Sequence, residues 1–422
     1  MSPRGSRGPA PKSIFDPVHG PIRLDGVALA LVGTPEFQRL WGIRQTGLAH
    51  LVFPGANHTR LEHSLGTFWV AGQMATRLGL EGSESRRISA GALLHDLGHG
   101  PFSHTLDSPM LEVLGSSHEA ISRARIEGTE REGPWAEPQV PRVLERFGLR
   151  PRDVADLIDP KVLIRQPRLL RQVLHGAIDA DRIDYLQRDA YYTGVAHGAI
   201  DAVRLLDTVR GVDGRLAFAE KGRSAVEGFL VGRALMYSSV YYHKTVRAAE
   251  MMAQAAVERM RGYPEAARPL FSETDGEFLA SVRQKGELSG SIIQGLVERR
   301  LYKRAFGWAR VTGTARRRWE RLFHHPAERR SLEDDLARRA KAAPGSVLLD
   351  VAMLVPRERP GDAWSDVALT SGDRLVYPFR GASPWRSLAT RPPSDMVVSV
   401  YAEPRRVSAV ARSVARDPRA LP

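Results

Sequence analysis

The sequence predicts a mainly α protein, with a large helical core followed by a smaller C-terminal α+β subdomain. Three observations point there. From Ile14 to about Arg300 apolar residues recur mostly at helical spacing, and after Arg300 several segments alternate or run apolar as strands do. The length of 422 residues, with 42% apolar residues, exceeds one small core and suits one large domain plus a smaller one. The absence of cysteine excludes a disulfide scaffold, a thiolate metal site, an iron–sulfur cluster and a cysteine nucleophile.

Taken in order, residues 1–12 carry Gly, Pro, Ser and Arg without periodicity and read as a disordered tail. Residues 13–300 are expected to form the core and residues 301–422 the second subdomain. Arg60 to Leu78 predicts a long helix with Leu61, Leu65, Phe68 and Ala75 among its apolar positions. Arg86 to Asp96 predicts another, stopped by Gly98, Gly100 and Pro101. Gly128 to Pro141 reads as a loop, and Thr208 to Ala219 as a hairpin turning at Asp213-Gly214. One unbroken helical run is expected from about Ser224 to Met260, and a charged helix from Ala315 to Lys341. Ser346–Met353, Asp366–Thr370, Arg374–Phe379 and Met396–Tyr401 predict strands, and Val407–Val414 a last helix.

The net charge is +13, which favours polyanionic partners and leaves room for weak binding of single-stranded nucleic acid. Only seven of the 61 basic residues are lysine, so an arginine-biased composition explains part of that charge. No apolar run approaches the ~18 residues of a membrane span, and Val27 to Val32 is too short for a signal core. The expectation is a cytoplasmic protein without a membrane partner.

The densest polar cluster runs from His95 to His104, with Asp107 just beyond, and His118 brings four of thirteen histidines into this neighbourhood. The apolar run Ile88–Leu94 leads directly into His95-Asp96, so a core helix ends on two adjacent ligand types. A bare His-Asp pair is more often structural than metal-binding, but complementary groups stand elsewhere. His63 lies in Arg60-Leu61-Glu62-His63-Ser64-Leu65-Gly66, and Asp181, Tyr185 and Asp189 are spaced i, i+4, i+8 along one helix face. Two imidazoles and two carboxylates suit Fe²⁺, Mn²⁺, Zn²⁺, Ni²⁺ or Co²⁺. An open position on such an ion lowers the pKa of water from about 15.7 towards ~7, a condition for attack on phosphorus. Arg233, Tyr237 and Tyr241 repeat the same spacing, followed by Tyr242-His243-Lys244; they read either as an aromatic core stripe or as substrate contacts.

The order His63, His95-Asp96, Asp181 resembles the H…HD…D signature of the HD-domain metal phosphohydrolases. Phe15–Gly20, Thr34–Leu40, Phe53–Ala56, Arg60–Gly66 and His95–His104 are similar to the dNTP triphosphohydrolases of that family, both the vertebrate enzyme joining a sterile-alpha-motif domain to an HD domain and its bacterial dGTPase-like relatives. The likeness runs from Lys12 to about Arg412, and the residues before it are too few for a sterile-alpha-motif domain. It implies hydrolysis of a deoxynucleoside triphosphate to deoxynucleoside and inorganic triphosphate. His63, His95, Asp96 and Asp181 would hold the metal, with Mg²⁺ accompanying the triphosphate. His104 would serve the leaving group with Asp107 orienting it, and His99 and His118 would lie near the phosphates. Arg60, Arg182 (where relatives often have Lys) and Arg233 would meet phosphate charge. Gln45 and Asp189 would hold the sugar 3′-hydroxyl, and Tyr185 would wall the deoxyribose against a 2′-hydroxyl. Tyr241 would contact base or sugar, whereas Tyr237 stands where relatives often have His. His19, His50, His58, His175, His197, His324 and His325 are expected to be structural or superficial.

The resemblance also implies self-association as a dimer or tetramer. Regulated relatives read guanine with an Asp and an Arg where this chain has Gly33 and Trp41, so GTP activation is expected to be weak or absent, although Lys12 survives at an effector contact. Two rival readings stand beside this one: an HD phosphatase or phosphodiesterase acting on other nucleotides or single strands, and a nucleic-acid-binding module with a vestigial site.

Overall fold

A computed structural model describes residues 10–130, 134, 137–159, 167–308, 313–353, 364–372, 374–379 and 396–416. It is mainly α, with a helical body and a C-terminal α+β region. Residues 1–9 of the expected tail, and part of the Gly128–Pro141 loop, lie outside the described residues. Lys12, placed in the tail by sequence, instead opens β1 (Lys12–Asp16), which pairs antiparallel with β2 (Gly20–Leu24). Ile22 and Leu24 alternate into the core and anchor this hairpin, which the helical reading of the region did not anticipate.

The centre of the body is the Arg60–Arg77 helix, packed between helices Gly82–Leu94 and Ala180–Thr193. Its start is fixed locally by a capping box, in which the Thr59 hydroxyl accepts from the Glu62 amide and the Glu62 carboxylate accepts from the Thr59 amide. Leu61, Leu65, Val70 and Met74 join one large apolar core, and the opposite side of the helix is buried as well, including Arg60, His63 and Ser64. The polar and charged residues buried on this helix must be satisfied internally, which makes its buried face the natural seat of a polar site. Helix Ala180–Thr193 starts on Asp179, whose side chain accepts from the Arg182 amide, and ends on Gly194 in the left-handed conformation.

The long helix expected over Ser224–Met260 is broken. Helix Arg223–Met236 passes into a π turn at Tyr237–Tyr241, and a new helix, Lys244–Glu258, starts after His243. The Tyr242 amide reaches back to the Tyr237 carbonyl, which inserts one extra residue per turn and swings the following side chains around the axis. The charged helix expected over Ala315–Lys341 is likewise two, Gly313–His324 and Pro326–Arg339, since a proline is tolerated only in a first turn.

The hairpin turning at Asp213-Gly214 forms as expected, from β3 (Val209–Val212) and β4 (Arg215–Ala219). Four C-terminal strands overlap the segments that the alternation marked, whereas a fifth, Lys303–Trp308, was not anticipated. β5 (Lys303–Trp308) and β6 (Val347–Met353) flank β9 (Met396–Ala402) in an antiparallel sheet. On β6 and β9, Val347, Leu349, Val351, Val398 and Val400 face the C-terminal core formed with Trp319, Leu336 and Val410. Leu348 and Tyr401 face the other way, onto the Lys244–Glu258 helix. The sheet is thus buried on both faces and cements the C-terminal region to the body. β7 (Leu369–Ser371) pairs in parallel with β4, and β8 (Arg374–Val376) pairs antiparallel with β7, so this second sheet spans the expected boundary near residue 300. Arg329 is buried between Glu258 and Glu333 and ties the two parts by charge. No described helix is long and apolar enough to cross a membrane.

Candidate metal centre and surrounding cleft

Three helix ends converge on one point. His63 lies in the first turn of the Arg60–Arg77 helix, His95 and Asp96 follow the C-terminus of Gly82–Leu94, and Asp181 lies in the first turn of Ala180–Thr193. The Nε2 atoms of His63 and His95 stand 3.3 Å apart. Asp181 Oδ1 is 3.0 Å from the first and 3.9 Å from the second. Asp96 Oδ1 is 3.3 Å from His95 Nε2, and Oδ2 is 3.7 Å from His63 Nε2.

The rings are held so that both Nε2 lone pairs face inward. His95 donates its Nδ1–H to the Ala92 carbonyl at 2.8 Å, and His63 donates its Nδ1–H to Asp184 Oδ2 at 2.7 Å. Such a bond on the far nitrogen sets tautomer and orientation in metal-binding histidines. With metal–nitrogen bonds of about 2.0–2.1 Å, two imidazole nitrogens on one ion lie about 3.0–3.4 Å apart, so the observed separation fits a shared ion. The electrostatics agree. Burial opposes a charged imidazole at His63, but Asp181 and Asp184 outweigh it and push its pKa up to about 10. A place that holds a proton so firmly favours a cation. Asp96, in spite of burial, is kept well below the usual carboxylate range by Arg60 and His95.

Behind His63 lies a closed network that sequence reasoning missed. Asp184 accepts from His63, from His19 Nε2 at 2.6 Å, and from two nitrogens of Arg188. Arg188 extends to Asp16, whose other oxygen accepts from the Val18 and His19 amides. His19 is thus structural, as expected, but it belongs to the support of the His63 ring and stacks on Trp69 at 4.6 Å. Gly66 allows this approach, since a Cβ there would overlap Asp184 and Arg188. The readable signals were the i, i+4 spacing of Asp184 and Arg188 and the Phe15–Gly20 stretch.

In front of the ligands the expected residues gather in two groups. Arg60 pairs with Asp96 and donates from Nε to the Ser103 hydroxyl at 2.7 Å, while its buried Nη2 has no partner. His99 Nε2 lies 3.3 Å from Asp96 Oδ1, and its ring stacks on His118 at 4.0 Å. Burial, then Arg60 and His118, lower the His99 pKa well below its ordinary value, so this ring stays neutral. His104 donates Nδ1–H to Asp107 Oδ2 at 2.9 Å and is 65% exposed. Although burial raises a carboxyl, His118 and His104 hold Asp107 far below its usual range. The turn before His104 is strained: Phe102 and Ser103 both adopt positive φ, at 54° and 57°. It is held there by the Phe102 amide on Asp275 and the Ser103 hydroxyl on the Arg44 carbonyl.

The second group lies beyond Tyr185, whose ring centroid is 6.5 Å from that of His63 and 6.4 Å from that of Tyr241. The π turn aims the Tyr241 hydroxyl at Asp189, whose other oxygen meets His58 at 2.7 Å. His58, expected to be merely structural, is therefore buried in the cleft wall and stacks on Tyr192. Gln45 has a buried Oε1 without a partner. Arg233 lies over the Tyr237 ring at 5.7 Å, with Nη1 buried and unpartnered. Arg182 is drawn instead to Asp179 at 2.6 Å and to the Gly176 carbonyl. Trp41 and Gly33 are both exposed.

Comparison with known proteins adds family membership to this geometry. Residues 60–189 match the HD domain and residues 200–417 the HD associated region. The latter contains both β3–β4 and β7–β8, so this sheet lies wholly within the matched HD associated region. An uncharacterized protein of Methanocaldococcus jannaschii is 40% identical over 58% of this chain and 49% of its own length. The deoxynucleoside triphosphate triphosphohydrolase SAMHD1 of Homo sapiens is 28% identical over 60% of this chain and 45% of its own. The chain thus spans about half the length of the curated relatives it matches. A hypothetical protein from Aquifex aeolicus, known by crystal structure, shares the fold with a TM-score of 0.73 at 24% identity, covering 96% of this chain and 100% of that one.

Proposed function

The chain belongs to the HD-domain proteins that carry an HD associated region, and from that premise we propose that it is a metal-dependent deoxynucleoside triphosphate triphosphohydrolase. The reaction is dNTP plus water to deoxynucleoside plus inorganic triphosphate. One observation carries the reading. Around the four convergent ligands, the buried atoms Arg60 Nη2, Arg233 Nη1, Gln45 Oε1 and His99 Nδ1 have no partner within the protein. Buried polar atoms are rarely left open, so a cleft with four of them is suited to a polar ligand. These atoms are donors and acceptors of the kinds a triphosphate and a sugar hydroxyl require.

His63, His95, Asp96 and Asp181 would hold a divalent transition ion, which supplies Lewis-acid chemistry at phosphorus when bound. Arg60 and Arg233 receive phosphate oxygens through their open nitrogens, and Arg182 adds charge beside them. His99 and His118 border the phosphates. His104, with Nδ1–H given to Asp107, presents Nε2 to the departing 5′-oxygen and delivers the proton it needs. Asp189 accepts from the sugar 3′-hydroxyl and the Gln45 side-chain amide donates to it. Tyr185 stands against the sugar face, and its bulk excludes a 2′-hydroxyl; Tyr241, fixed on Asp189, closes the base side, and Tyr237 backs it. Gly33 and Trp41 offer no charged pair to a guanine edge, so GTP activation is weak or absent.

The test is product analysis with Mn²⁺-loaded protein, each dNTP given singly, and dATP also with GTP. Equimolar deoxynucleoside and triphosphate are expected from single dNTPs, unchanged by GTP. Orthophosphate or monophosphate products would point to a different phosphohydrolase, and a steep rise on adding GTP would remove the effector reading alone.

A further inference from the structure

We propose that His99, His104, Asp107 and His118 form a second divalent-cation site, beside the His63–His95–Asp96–Asp181 centre, that takes a transition ion of the zinc class. One donor atom from each of the four lies within 4.8 Å of the others. Asp107 approaches His104 Nδ1 at 2.9 Å through Oδ2 and His118 Nδ1 at 3.4 Å through Oδ1. The His99 and His118 rings stack at 4.0 Å, and the His104 ring stands edge-on to them at 4.8 and 5.2 Å.

A second observation is independent of that clustering. His99 is 1% exposed, and its Nδ1 is buried without a hydrogen-bond partner, as is Asp107 Oδ1. Open donor atoms on a buried imidazole and a carboxylate, beside two further imidazoles, make a three-histidine, one-carboxylate set, which suits tetrahedral Zn²⁺ and excludes the oxygen-seeking Ca²⁺ and Mg²⁺. The same His99 ring turns its Nε2 toward Asp96, 3.3 Å from Oδ1, so it forms the wall between the two cation positions.

The consequence for activity rests on the function proposed above. An ion on this cluster engages His104 and Asp107, the pair assigned to the leaving-group proton, so transition metal beyond one equivalent slows hydrolysis. The site itself does not depend on what the protein hydrolyses.

The experiment is a Zn²⁺ titration of metal-stripped protein by calorimetry, with the ion retained through gel filtration counted by mass spectrometry. Wild type is expected to hold two equivalents. The double variant His95→Ala/Asp181→Asn should keep one, and His104→Ala/His118→Ala should keep one. A single equivalent in wild type, or a second that survives His104→Ala/His118→Ala, overturns the proposal. Circular dichroism checks each variant's fold. Should the double variant not fold, Asp107→Asn replaces it, with a loss of at least tenfold in affinity for the second equivalent expected and no change overturning the site. A protein that holds two ions but releases no triphosphate refutes only the proposed function, and a triphosphohydrolase that holds one refutes only this site.

Discussion

Behind and in front of the His63 ring, the protein treats buried polar groups in opposite ways. Behind it, Asp184, Arg188, Asp16 and His19 close on one another. In front, Arg60, Arg233, Gln45 and His99 each leave a buried atom open. An unsatisfied buried group costs about 1–3 kcal/mol, so the contrast separates a region that supports the fold from one that gives up stability for a ligand. Charge alone would not make the distinction, since both sides are rich in arginine and aspartate.

The widest separation should come from substitutions that touch one side only. Asp181→Asn, in front and a third exposed, is expected to reduce dNTP hydrolysis on the order of a thousandfold while leaving the melting temperature within a few degrees. Gly66→Ala should do the reverse in origin: its methyl group displaces the Asp184–Arg188 pair, costing about 3–5 kcal/mol in urea unfolding. Asp184→Ala frees the His63 ring from its acceptor, and metal affinity measured by competition with a chelator should fall about 10–100-fold.

The pH dependence sharpens the same contrast. A metal needs neutral His63, whose pKa in the metal-free protein is about 10, so one proton must leave on binding at neutral pH. Metal affinity should therefore rise up to about tenfold per pH unit towards pH 10 and then flatten. Because this folded-state pKa lies above the unfolded one, its contribution to metal-free stability is present below the unfolded pKa and is lost as pH rises through about 10. The smallest effect is expected at Arg233→Met, which should raise KM about tenfold and leave the melting temperature unchanged or higher, because an open nitrogen is removed. A lower melting temperature there would break the comparison, since it would make Arg233 part of the support.

The legible parts of the molecule were those whose information is local. The Arg60–Arg77 helix follows from its own periodicity, the hairpin turn from Asp213-Gly214, and β6 and β9 from their alternation. The candidate ligands His63, His95, Asp96 and Asp181 were marked by the order of their motifs, and the structure brings both carboxylates within 4 Å of the two histidine nitrogens. Less was visible where a neighbour decides. β1 and β2 bury only a few alternating side chains, too few for a period to stand out. The π turn at Tyr237 leaves the apolar pattern helical and changes only the direction of later side chains. Asp184 and His58 read as ordinary polar residues because their partners lie 121 and 131 positions away.

The parallel pairing of β4 with β7 has a consequence for how the chain is made. Phe218 and Ala219 meet Leu369 and Thr370, about 150 residues later in synthesis. A growing chain can complete its hairpin early, yet it carries one edge of β4 open until that late segment emerges from the ribosome. An open edge is a template for another chain, so protection of nascent protein over this interval becomes a condition of high yield. Expression of fragments ending before residue 369 should accordingly favour aggregates, with the helical core complete but the sheet unclosed.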